Sequence, residues 1–367
     1  MRILLAPIMI TPTKPLTPSH IKALLWLDTL WKATAELHDV ECEQNRRTCD
    51  ITVQTCGFWA FLDQQYAMTN YAAENETTIG HRYVEYHQQS ASLDITQVHR
   101  YRKMIEEEGW IHPAGQRILQ DWEKYLNVLQ LNNISLYRSE KLALSADDVF
   151  GILDDHDCLL DLRKLDAGAY IDFTEQGMPL RRIVDSVNMD NYIVCILREL
   201  IHKASHYDLV LLMSDNDLDS DYALIEKVLN ATGAKTKRLS IGRVPLDGIT
   251  QSSRAGGWEK YSFENIYKTY IPVYGDAAFR LGMRLYFIAD LCRNSKKSFS
   301  FQDLEKSFTK ALNLLSMKIA PAPSNEYKTM LRKSAKKTGY VNPYNIVSKL
   351  CAKKVDNYAG SIINTVL

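Results

Sequence analysis

The stretch Arg2-Ile3-Leu4-Leu5-Ala6-Pro7-Ile8-Met9-Ile10-Thr11-Pro12-Thr13-Lys14-Pro15-Leu16-Thr17-Pro18-Ser19-His20-Ile21 organises the reading of the whole chain. Its apolar run is long enough for one buried strand, and the run breaks at a Pro-Thr-Lys-Pro loop. A Thr-Pro-Ser-His turn follows, and then a helix. A strand, a short loop and a helix start bring backbone N–H groups and the positive end of a helix dipole to where phosphate binds. Many first strands of α/β proteins look the same without holding a nucleotide, so this reading needs a matching element further on.

The 367 residues allow a sizeable core, in two domains or in one with a large insertion. A hydrophobic fraction of 46% and a charged fraction of 24% suit a globular protein. The formal net charge is zero, so any contact with nucleic acid or membrane needs a local patch. The seven cysteines include no CxxC pair, and the even spacing of Cys42, Cys49 and Cys56 is wider than zinc sites favour. No metal site is assigned, and free thiols in a reducing compartment are expected. The first apolar run is short, holds Pro7 and lacks a small-residue cleavage site, so it does not read as a signal peptide. No stretch reaches the ~18 apolar residues of a membrane span. The expected location is the cytoplasm, with no membrane partner.

Working outward, Ile21 to Leu37 has apolar residues at helical spacing, with Pro18 suited to the helix start. Asp50 to Leu62 reads as a second strand and its exit. Residues from about 70 to 95 read as loop or short helix. Ile95 to Leu131 is strongly helical and split near Gly109 to Gly115 by Pro113, giving an inserted helical layer at about 72–145. Short helix is expected from Ala146, a strand over Gly168 to Phe173, and a helix over Asn191 to Ala204. Asp208 to Met213 is a fully apolar strand ending in the cluster Ser214-Asp215-Asn216-Asp217-Leu218-Asp219. Tyr222 to Leu229 is the next helix and Lys237 to Val244 the next strand. This succession predicts an α/β fold with a parallel sheet, whose ligands sit beyond the carboxyl ends of its strands. The opening loop and the acidic cluster both lie at such ends. The helical tail from Phe301 carries Lys328, Arg332, Lys333, Lys336, Lys337, Lys349, Lys353 and Lys354 without an acid between Tyr327 and Lys354. Such a run is usually a solvated face, and an RNA contact is the alternative.

The matching element is Gly248-Ile249-Thr250-Gln251-Ser252-Ser253-Arg254-Ala255-Gly256-Gly257-Trp258, just after the last strand. Glycines let its backbone approach a triphosphate, serine hydroxyls donate hydrogen bonds, and arginine neutralises charge. An ordinary surface loop is the competing reading.

Together the two loops resemble the signature loops of class I aminoacyl-tRNA synthetases, and of the arginyl-tRNA synthetase family in particular. Lys14-Pro15-Leu16-Thr17-Pro18-Ser19-His20-Ile21 is similar to that family's KPxHxGHL stretch, which contains the HIGH motif. Ser252-Ser253-Arg254-Ala255-Gly256 is similar to its MSSRKG version of the KMSKS loop. Ser139-Glu140, Ala167-Gly168-Ala169, Tyr192, Ser214-Asp215-Asn216 and Gly242-Arg243-Val244 fall in the family's order, and the resemblance covers about residues 1 to 300. It implies a Rossmann-like, HUP-type catalytic domain over 1–275, containing the helical insertion, and a C-terminal helical domain over 276–367. The family's N-terminal domain has no counterpart, and a short helical tail stands where a full anticodon-binding domain is expected.

The departures matter as much. The first His of HIGH is Thr17 and its Gly is Ser19, leaving His20. The first Lys of KMSKS is Thr250 and the second is Ser253. The family offsets that second loss with the Lys before HIGH, here Lys14. In the amino-acid pocket, the family's guanidinium-binding carboxylate falls on Ala6, its Asn on Thr11, and its helix Asp on Ile196. A guanidinium buried there without carboxylates would cost ~3–5 kcal/mol, which argues against arginine. Glu199, seven residues after Tyr192 on the same helix face, is a candidate replacement.

The resemblance implies the following chemistry. An amino-acid carboxylate attacks the α-phosphate of ATP, with Mg2+, giving an aminoacyl-adenylate and pyrophosphate. The catalytic residues would be Lys14, His20 and Arg254. Thr11, Lys14, Thr17, Ser19, His20, Ser252, Ser253 and Arg254 would hold ATP, and Ala6, Thr11, Tyr192, Ile196, Glu199, Asp215 and Asn216 would line the amino-acid side. The expected second step passes the acyl group to a small amine acceptor, forming an amide. The alternatives are transfer to a tRNA or RNA end through the basic tail, and an inactive synthetase-like binding module. For His20 and Asp215, purely structural roles as helix-start and helix-cap residues compete.

Overall fold

The structure is a computed structural model and describes every residue except 7, 44–48, 90–93, 132–141, 186–188, 251 and 353–356. Pro7, the Ser139-Glu140 pair, Gln251, Lys353 and Lys354 lie outside the described residues. In chain order the elements are β1 (Arg2–Ala6), α1 (Pro18–Ala35), β2 (Asp39–Cys42), α2 (Val53–Gln65), α3 (Glu76–Gln88), α4 (Ile95–Glu108), α5 (Pro113–Leu129) and α6 (Ala146–Asp155). Then come β3 (Leu159–Asp161), β4 (Ala169–Ile171), β5 (Arg181–Val184), α7 (Tyr192–Ala204), β6 (Leu209–Asp215), α8 (Asp219–Ala231), β7 (Thr236–Ile241), α9 (Phe263–Arg284), α10 (Phe301–Ser316), α11 (Ser324–Ala335), α12 (Pro343–Val347) and α13 (Ala359–Val366). Among the described residues no helix is long and apolar enough to cross a membrane.

The chain forms two compact units. One comprises Met1–Lys14, Glu43–Gln120 and Ser135–Leu239; the other comprises Pro15–Cys42, Asp121–Ile134 and Ser240–Leu367. This is a cut by compactness. The cut into 1–275 and 276–367 groups residues by expected role and stays a proposal.

In the first unit, β1 lies parallel to β6, with Ile3 opposite Leu209 and Ala6 opposite Leu212, and β7 adjoins β6 on its other side. Leu209 to Met213 are all buried, as a continuous apolar run requires when helices cover both sheet faces. Because β1 and β6 run the same way, the segments after Ala6 and Asp215 leave from one end of the sheet. Asn191 caps α7 by accepting from the Ile193 N–H at 2.9 Å. The buried face of α7 (Ile193, Ile196, Leu197, Leu200) joins Ala6, Val210 and Leu212 in one core.

Two expectations are corrected here. The Asp50 to Leu62 stretch is a turn and then helix from Val53, not a strand: Thr55, Phe58, Trp59 and Leu62 are buried at spacings of three and four, and Thr52 sits at the N-cap. Residues 159–184 form a separate antiparallel sheet, β3-β4-β5, instead of extending the parallel one. The links between these strands, seven and nine residues, are too short for the crossover that parallel neighbours need, about a dozen residues or more. Of its three strands only the middle one was foreseen.

The two helices expected between Ile95 and Leu131 form. Asp94 caps α4 through the Thr96 and Gln97 N–H groups, Gly109 ends it with φ 64°, and Pro113 opens α5. The polar stretch before it yields α3, with Asn75 Oδ1 accepting from the Thr78 N–H at 2.7 Å.

In the second unit, α1 starts at Pro18. The Lys22 ammonium, 1% exposed, donates to the carbonyls of Gly242 and Arg293, each at 2.9 Å, and ties α1 to the segment leaving β7. Six residues further along α1, Asp28 pairs with the Arg284 guanidinium at 2.7 Å with both side chains buried. Helix α9 bends at Gly275 (φ 72°), and α10 packs on it through Phe308, whose ring would lie 2.3 Å from a Cβ at Gly282.

Candidate active site

At the amino-acid side, Ala6 is the last residue of β1. It meets Met9 just beyond it, Ile196, Glu199 and Leu200 of α7, Tyr222 of α8, and Glu43 around a pocket of about 310 Å3 with its open mouth included. Three of the seven residues expected on that side (Ala6, Ile196 and Glu199) thus share one pocket. Ile196, Glu199 and Leu200 come together because positions three and four apart share a helix face. Glu199 and Glu43 are 4% and 7% exposed. Both carboxylates accept from the Lys203 ammonium, Glu199 at 2.6 Å. Burial opposes the charge on Lys203, but its bonds to Glu199 and Glu43 outweigh it and hold the ammonium above the usual lysine range.

The other four sit elsewhere. Tyr192 opens α7, and its hydroxyl donates to Asp221, a carboxylate that also takes Arg181 at 2.8 Å. Burial first, then the bond to Asp221, pushes the Tyr192 phenol far above its ordinary value, so it stays a donor at neutral pH. Asp215 ends β6 and caps the following turn by accepting from the Asp217 N–H at 3.1 Å, with Asn216 exposed beside it. Thr11 is half-buried, and its carbonyl accepts from the Thr13 N–H at 2.9 Å.

Of the residues expected to hold ATP, Lys14 is 7% exposed with its ammonium 4.9 Å from the centre of the Tyr83 ring. At that distance the ring face attracts the charge. In the second unit, Thr17 is the N-cap of α1. Its N–H donates to His20 Nδ1 at 3.2 Å, and its hydroxyl lies 3.3 Å from the same nitrogen. Since Nδ1 accepts, the neutral ring carries its proton on Nε2, the tautomer that donates to a phosphate oxygen. Capping therefore uses Nδ1, and the phosphate contact expected from the sequence would use Nε2. The Ser19 hydroxyl accepts from the Val244 N–H at 3.0 Å and anchors the helix start to the strand exit.

The second loop leaves β7 through a tight turn at Asp247 and Gly248 (φ 49° and 84°), bridged by Leu246 and Ile249. Ser253–Ala255 form one turn of 3-10 helix. The Arg254 N–H lies 3.4 Å from the Ser252 hydroxyl, and the Ala255 N–H donates to the Ser252 carbonyl at 3.0 Å. Both Ser252 and Arg254 are exposed. Gly256 and Gly257 follow with φ 79° and 77°, where a side chain would cost ~1–2 kcal/mol per residue, and Trp258 is buried to hold the loop's far end.

Sequence reasoning missed Met9, Glu43, Leu200, Tyr222 and Asp221. Leu200 was within reach, one helical turn from Ile196. Glu43 and Asp221 come in through tertiary contacts that no local pattern announces.

No family model matches the sequence, and no curated protein matches it. Solved structures do match by shape. Thermus thermophilus arginyl-tRNA synthetase aligns at TM-score 0.64 and 12% identity, over 100% of this chain and 79% of that one. Plasmodium falciparum arginyl-tRNA synthetase aligns at 0.57 and 11%, over 100% and 75%. Mycobacterium tuberculosis methionyl-tRNA synthetase bound by methionyl-adenylate aligns at 0.53 and 8%, over 100% and 88%. With an α/β core, a β1–β6 parallel pair and a pocket at its carboxyl end, the chain has the class I aminoacyl-tRNA synthetase-like fold.

Proposed function

We propose that this chain is an aminoacyl-adenylate-forming, ATP-dependent ligase. The observation that carries the reading is the pocket of Ala6, Ile196 and Glu199 at the carboxyl end of β1, in a fold similar to that of enzymes solved with an aminoacyl-adenylate. One carboxylate oxygen of the amino acid attacks the α-phosphorus of ATP, the bond to the bridging oxygen breaks, and pyrophosphate leaves. Mg2+ bound with the nucleotide would supply further neutralisation of phosphate charge. The protein's part is positioning and charge neutralisation. In the second unit His20 would donate from Nε2 to a phosphate oxygen and Arg254 would offset charge on the leaving pyrophosphate; in the first, Lys14 is the cation the reading assigns to the same task. The amino-acid side chain enters the pocket. Arginine is disfavoured, because Ala6 and Ile196 replace carboxylates and Glu199 is already bonded to Lys203. Amino-acid-dependent ATP–pyrophosphate exchange tests the reading.

For the second step, the small amine acceptor expected from the sequence draws no support from the pocket or the similar structures. A tRNA or RNA end is the second reading, favoured by the exposed Arg332, Lys333, Lys336 and Lys337 on α11 and its exit. Product formation that survives nuclease treatment, and that is unchanged when Lys333, Lys336 and Lys337 become alanine, would remove it.

A further inference from the structure

We infer that Lys32 of α1 and Arg280 of α9, both in the second unit, form a binding site for a small, doubly charged oxyanion, a phosphate group. The argument is a charge imbalance where the two helices touch. Three cations gather there around one carboxylate. Asp28 Oδ2 accepts from the Arg284 guanidinium at 2.7 Å and from the Lys32 ammonium at 3.2 Å. The other partners are neutral: Arg284 also donates to the Leu129 carbonyl at 3.1 Å, and Lys32 to the Gln130 carbonyl at 3.3 Å. Two cations thus share one negative charge, and Arg280, one turn before Arg284, adds a third positive one. Among the described residues its guanidinium has no ion pair, and its Nε is shut from water with nothing to donate to. The nearest acids in sequence do not correct this. Asp276, one turn back on α9, is exposed and makes no ion pair with it, and Glu36, one turn past Lys32, is exposed and turned to Lys328 at 3.9 Å. Burial pushes the Lys32 amine down, and the charges of Arg284 and Arg280 add to that against the pull of Asp28. An anion docked on Arg280 and Lys32 removes the imbalance. Contacts at a half-buried surface are stronger than in bulk water, and a guanidinium fork with an ammonium beside it suits the oxygens of a tetrahedral anion. The Lys32 side chain is 17% exposed and Arg280 half-buried, while Arg284 and Asp28 are closed to solvent, so the site takes one group and not a strand. Lys32 lies about 18 Å along α1 from His20, so this is not the phosphate position expected from the sequence.

Isothermal titration of the intact chain with inorganic phosphate, in chloride of matched ionic strength and without ATP or amino acid, reads this site separately from catalysis. Phosphate should bind, sulfate should compete with it, and Arg280→Gln and, independently, Lys32→Gln should each weaken it by about tenfold or more. Arg280→Gln takes no ion-pair partner from the fold. Its circular dichroism melt in chloride should therefore match or exceed that of the wild type, while the rise in melting temperature that phosphate gives the wild type should vanish. That variant keeps the test standing if Lys32→Gln, which loosens Asp28, does not fold. No phosphate binding, or phosphate binding that Arg280→Gln leaves intact, overturns the inference. A melt of Arg280→Gln that falls in chloride makes Arg280 a structural residue and overturns it as well.

Discussion

Replacing Lys203 by Met tests how the pocket manages its two acids. The substitution keeps the apolar stem and removes the ammonium on which Glu43 and Glu199 converge. Two carboxylates, 7% and 4% exposed, then face each other without a counter-charge. Breaking a buried pair in this way costs ~3–5 kcal/mol. Urea unfolding of wild type and Lys203→Met at pH 7 should therefore give a stability difference of ~3–5 kcal/mol. Adding Glu199→Gln to Lys203→Met should recover more than half of the loss at pH 7. A difference below ~1 kcal/mol at pH 7 would refute the shared-ammonium arrangement.

His20→Ala should lower pyrophosphate exchange at least 100-fold while costing only ~1 kcal/mol of stability, the price of one helix cap; wild-type exchange would leave His20 as a cap alone. Glu106 pairs with Arg198 and Arg102, and although burial would raise its carboxyl, the two guanidinium groups outweigh it and hold it below the ordinary 4.5. Its stabilisation is therefore complete above about pH 4.5 and lost as pH falls through the lower folded value, so Glu106→Gln should flatten that part of an acid-unfolding curve followed by tryptophan fluorescence. Burial pushes the Cys49 and Cys56 thiols up to about 12 and Cys158 to about 11. A thiol reagent at pH 8 should thus label exposed Cys351 and half-buried Cys292 quickly and the five buried cysteines only on unfolding, as peptide mass mapping would show.

Much of this was legible in the sequence because local rules and packing agree. The run from Leu209 to Met213 could only be a doubly covered strand, Pro18 and Thr17 mark the start of α1, and Gly109 with Pro113 splits α4 from α5. Where the reading failed, the local signal was ambiguous. Ile51 and Val53 suggested a strand, yet the apolar residues that follow repeat at three and four. The short strands around Ala169 have three or four residues each, too few for alternation to show. At the site, helical spacing gathers Ile196 and Glu199, and the parallel β1–β6 pair sets Ala6 at the same sheet end as Asp215. Lys203, by contrast, reads as one more lysine near a helix end, and its bond to Glu43, 160 residues away, is a product of the fold. Tyr192 shows the same limit: family order singles it out, while its partner Asp221 lies on the next helix.

The central claim is that the chain makes an aminoacyl-adenylate, and ATP–pyrophosphate exchange across all twenty amino acids tests it most directly. The account predicts exchange that depends on Mg2+, on an added amino acid and on His20, and that arginine does not support. Exchange with none of the twenty would contradict adenylation; exchange with arginine above all others would contradict the pocket.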